Sequence, residues 1–92
     1  MKKAYYLGIK RKLKSIENII EKEVSSSLVY LYLMDSLNSI DYEMKRVEVE
    51  EVKKEVKVIR NVMKENFLKE DLMRDLNLLE IYLEKFESFK NF

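Results

Sequence analysis

The chain has 92 residues, 47% apolar and 38% charged, with 18 basic and 17 acidic side chains. That length suits one domain, residues 1–92, near the lower limit for a self-sufficient core, and its balanced charge on an apolar background is that of a globular chain. It has no Cys, no His, no Pro and a single Gly, which excludes disulfides, thiolate or imidazole chemistry and a Gly-rich phosphate loop.

The first predicted element is a helix over 3–24. Ile9, Leu13, Ile16 and Ile20 recur at helical spacing and form its apolar stripe. Its opening, MKKAYYLGIKRKLK, holds six basic side chains and no acid, whereas residues 15–51 carry nine acids against three bases. Lys3, Lys10 and Lys14 share one side of the wheel, continued by Glu17 and Glu21. Lys2, Lys3, Lys10, Arg11, Lys12 and Lys14 are the candidate nucleic-acid contacts, because basic side chains displace counterions from phosphate. The competing readings are a solvated helix end, a partner made by the acidic segment of the same or a second chain, or a membrane surface or other acidic partner. Tyr5 and Tyr6 flank the Ile9–Leu13 stripe and are read as core. The basic end lacks the apolar stretch and small-residue cleavage site of a signal peptide.

Ser25-Ser26-Ser27 is a helix break and cap. A second helix, 27–45, follows along Tyr30, Leu33, Met34, Leu37, Ile40 and Met44. With Leu28, Leu31 and Tyr32 added, its start is apolar all round. This stretch contains the longest apolar run, LVYLYLM, far short of the ~20 residues needed to cross a bilayer. A cytoplasmic location is expected.

The boundary before the third helix, 47–65, carries only weak signals at Asn38, Ser39 and Asp41. Helices two and three therefore read either as separate or as one long rod. VEV at 47–49 and VKV at 56–58 alternate like strands, but Val49, Val52, Val56, Ile59 and Met63 form a helical stripe across both, so helix is preferred. A fourth helix, 69–90, runs along Leu72, Leu76, Leu79, Leu83 and Phe86, with Glu70 and Asp71 suited to its first turn.

The fold class is thus all-α: a small bundle of four amphipathic helices with coiled-coil-like stripes. Apolar residues outnumber the places that so small a bundle can bury. Val47, Val58, Leu78, Ile81, Tyr82 and Phe89 lie off the main stripes and are the candidate self-association interface, with a homodimer as the simplest assembly. The single Ala leaves few positions for very close helix approach.

No catalytic, cofactor or metal residues are assigned. Glu50, Glu51 and Glu55, and Glu80, Glu84 and Glu87, have the spacing of a solvated helix face paired with lysines. RNVMKENF, residues 60–67, resembles the Arg-Asn-x-x-x-His-x-Tyr stretch of HEPN-type helical ribonuclease toxins at Arg60 and Asn61, with Phe67 in place of the Tyr. Glu65 occupies the His position, so the ribonuclease chemistry that the resemblance implies is not expected. It spans eight residues, and the chain is not assigned to that family on it. The expected function is non-catalytic: a small scaffold, adaptor or regulator acting through protein–protein contact and self-association, with nucleic-acid binding by the basic helix as the alternative.

Overall fold

The computed structural model describes the backbone of residues 2–65 and 70–90 and the side chains of 3–65 and 70–88. The described residues form four helices: α1 Lys2–Glu23, α2 Ser27–Lys45, α3 Val49–Glu65 and α4 Glu70–Lys90. They assemble into a bundle of 43 × 21 × 18 Å with a radius of gyration of 12.8 Å. Each helix meets its chain neighbour antiparallel, and α4 returns beside α1 to close the ring. The seams alternate, α1 packing closely on α4 and α2 on α3, while the α1/α2 and α3/α4 seams are more open.

The core is the set of stripes the spacing predicts. Ile9, Ile16, Ile20, Leu33, Ile40, Val52, Ile59, Leu76, Leu79 and Leu83 have no accessible surface. Tyr5, Tyr6, Tyr30 and Met34 are half-buried against them. Each buried aliphatic chain contributes about 1.5–3 kcal/mol relative to an exposed one.

The breaks have distinct causes. Ser26 caps α2 with extended backbone, and its hydroxyl accepts the Val29 N–H at 3.4 Å. The α2–α3 boundary is a real break, so the continuous-rod alternative is excluded. Here Val47 N–H donates to the Met44 carbonyl at 3.0 Å and Glu48 N–H to the Glu43 carbonyl at 2.9 Å. This is the Schellman pattern, whose terminal residue takes left-handed backbone. Val47 supplies it with φ of 59°, a conformation that costs a β-branched residue about 1–2 kcal/mol. Glu48 then accepts the first α3 bond from Val52 N–H, and Glu50 and Glu51 sit favourably in the first turn. Helix three therefore starts at Val49, two residues later than the spacing predicts, because Val47 belongs to the turn.

Close approach at the tight seams comes from Gly and Ser rather than Ala. A Cβ on Gly8 would stand 3.4 Å from the Tyr82 ring, so the α1 backbone forms the bed on which that ring lies. Ser15 performs the same service beside Asp75, and Ser36 is buried between α2 and α3.

Candidate functional site

Six large apolar residues are exposed among those described: Leu28 at 79%, Leu31 at 60%, Tyr42 at 58%, Tyr32 at 53%, Ile81 at 49% and Leu7 at 45%. Four of the six are on α2. Leu28, Leu31 and Tyr42 follow spacings of three and eleven residues, so they run down the outer ridge of that helix, with Tyr32 on its α3 side. The structure thus concentrates the uncovered apolar surface on the helix whose start the sequence marks as apolar all round.

The candidate interface residues are dispersed. Val47 is in the α2–α3 turn and packs against the core. Tyr82 is half-buried on Gly8, with its ring centroid 6.3 Å from that of Tyr5. Leu78 is half-buried, and Ile81 is, among the described residues of the α4 set, the one that is largely exposed. Val58 is half-buried and lines a shallow groove with Tyr32, Asp35, Ser36, Ser39 and Glu55. The side chain of Phe89 lies outside the described residues.

The basic residues of α1 divide in two. Lys12 points at α4, where its ammonium lies 3.6 Å from Asp75, and Lys14 lies 3.8 Å from Glu17. Lys10 sits 5.6 Å from the Tyr6 ring centroid, a cation–π arrangement. Lys3, Lys10 and Arg11 are exposed. The side chain of Lys2 lies outside the described residues. Lys10 and Lys14 also form one wall of an open groove along the α1/α2 seam, with Glu17, Met34, Asn38 and Asp41 around it and Leu13 and Leu37 at its floor.

Asp75 is a residue that sequence reasoning missed. It is 8% exposed, accepts the Ser15 hydroxyl at 2.5 Å and faces Lys12. Its signal is its place three residues after Leu72 and four before Leu79, on the apolar stripe of α4, as Ser15 lies beside Ile16 on α1. A lone buried carboxylate held by a hydroxyl and an ammonium specifies register, since any slip of the seam would strand it.

Glu50, Glu80 and Glu87 at the α3/α4 seam are engaged by cations. Lys53 contacts Glu87 at 2.7 Å and Glu50 at 3.8 Å, and Arg60 binds Glu80 together with Asn77 at 3.0 Å. The Glu87 hydrogen bond, with attraction from Glu87, Glu50 and Glu84, holds the Lys53 ammonium above the ordinary lysine value despite the opposing effect of burial. Among the described residues no cluster of three acids is placed to hold a metal ion, and no helix is long and apolar enough to cross a membrane. Arg60, the strongest part of the ribonuclease-like stretch, is thus a strut between α3 and α4, while Phe67 lies outside the described residues. Comparison with protein-family models, curated proteins and solved structures finds no match for this chain.

Proposed function

We propose that this chain is a non-catalytic binding module, a helical scaffold or adaptor whose working part is a surface and whose first partner is a second copy of itself. The observation that carries this reading is the ridge of Leu28, Leu31, Tyr32 and Tyr42 on α2, each more than half exposed. Single exposed apolar residues are ordinary on monomers, whereas a row of them on one helix marks a contact surface. Val58 extends the row through the groove it shares with Tyr32. The absence of His and Cys and the pairing of the clustered carboxylates with lysine and arginine favour binding over catalysis. A chain without cysteine also suits the reducing cytoplasm.

Sedimentation or light scattering across tens of micromolar tests this. The expected result is a concentration-dependent mass above 11.2 kDa, weakened when Leu31 and Tyr42 become Ser. A strict monomer overturns it.

Lys3, Lys10 and Arg11 support a second reading as a nucleic-acid-binding regulator. It predicts binding to generic duplex or single strand that falls steeply with salt and weakens in the Lys10→Ala/Arg11→Ala variant. No binding at about 50 mM salt removes it.

A further inference from the structure

We infer that a second copy docks on the open α1/α2 face, helices antiparallel, about a two-fold axis that crosses α1 between Lys14 and Glu17. This rests on the self-association proposed above and assigns it a face and a register.

One stripe of α1 is electrically divided, with Lys10 and Lys14 in its first half and Glu17 and Glu21 in its second, while the exposed Lys22 lies off it. An axis between Lys14 and Glu17 sets Lys14 opposite the partner's Glu17 and Lys10 opposite the partner's Glu21. The register of α2 is independent of that choice. The groove is lined by Lys10, Lys14 and Glu17 of α1 and by Met34, Asn38 and Asp41 of α2. Since the two helices run antiparallel, the Lys10 end corresponds to Asp41, Lys14 to Asn38 and Glu17 to Met34. The same axis therefore passes α2 between Met34 and Asn38. It brings Leu31, 60% exposed, opposite the partner's Tyr42, 58% exposed. One axis thus satisfies the charges of one helix and covers apolar residues of the other. Rotation about an axis parallel to the helices would instead lay Glu21 on the partner's Leu31, with no cation opposite. A face of about 43 by 21 Å is large enough for the ~800 Å² per partner that a stable dimer buries. Complementary charge at its edges sets register more than affinity.

The test uses the full chain and two charge-reversed variants, K10E/K14E and E17K/E21K, in exposed or half-exposed positions, with circular dichroism to verify the helices. Each variant alone is expected to dimerise at least tenfold more weakly than the native chain. Their equimolar mixture, and the single chain carrying all four changes, should regain dimerisation to within a few-fold. Because the chain has no Cys, a mixture of L31C and Y42C should oxidise to a covalent heterodimer faster than either variant oxidises alone. A native dimer indifferent to both reversals overturns this face while leaving self-association standing. Native monomer across tens of micromolar overturns both. Rescue absent from the mixture and from the fourfold swap overturns the antiparallel register.

Discussion

Toward α1, helix α4 presents Phe86, Tyr82 and Asp75; toward α3 it presents Glu87, Glu80 and Asn77. The first flank packs closely and buries one carboxylate, Asp75, between Ser15 and Lys12. The second is more open and laced with half-exposed ion pairs around a cleft lined by Glu50, Lys53, Lys57, Glu80 and Glu84. Neighbouring residues on one helix thus perform unlike tasks. Buried groups on the α1 flank have no solvent alternative, so their loss is felt in full. Ion pairs on the α3 flank exchange readily with water and are worth about 0–1 kcal/mol each.

The largest contrast should come from adjacent residues. Phe86 is 3% exposed, with its ring centroid 5.9 Å from that of Tyr6. Phe86→Ala is expected to lower stability by about 3–5 kcal/mol, whereas Glu87→Ala should cost under about 1 kcal/mol; urea unfolding of both measures the difference. Equal losses would mean that the flanks are not distinct. Next comes Asp75→Ala, expected to cost about 2 kcal/mol because it leaves the Ser15 hydroxyl and the partly covered Lys12 without their acceptor. An unchanged unfolding midpoint would show the buried triad to be dispensable.

A smaller effect of about 1 kcal/mol belongs to the turn that joins the other close seam. Val47→Ala loses packing and keeps the left-handed backbone, whereas Val47→Gly loses packing and relieves it, so the glycine variant should be the more stable of the two. The smallest effect is Lys53→Met, about 0.5–1 kcal/mol at neutral pH. Because Glu87 raises the Lys53 pKa in the fold, that contribution is complete below the ordinary lysine range. It disappears as pH rises through the higher folded value. Native and Lys53→Met curves should therefore converge at strongly alkaline pH, and a constant gap would assign the loss to packing of the lysine stem.

The core was legible because helical periodicity is local: Ile9 to Ile20, Val49 to Met63 and Leu72 to Phe86 each announce a buried stripe without knowledge of the others. Ser26 was legible for the same reason, since a cap acts within one turn. The α2–α3 break was legible only weakly, with one long rod left as the alternative, because the chain reverses at a β-branched Val47 where a glycine signal would be looked for. Among the candidate interface residues, Tyr82 reads as surplus apolar surface until Gly8 is seen to make room for its ring.

Composition and spacing alone thus determined four helices, their stripes and a chain poor in catalytic groups, because each depends on residues within a few positions of one another. Tertiary structure decided which flanks close tightly and which stay open. It also decided that Lys12 is tied to Asp75 while Lys3, Lys10 and Arg11 remain exposed, and that among the described residues the uncovered apolar row lies on α2. Those outcomes depend on which helix returns beside which. With α4 closing on α1 and α3 on α2, each pair buries its stripes, and the apolar residues of α2 beyond its stripe, Leu28, Leu31 and Tyr42, are left facing outward.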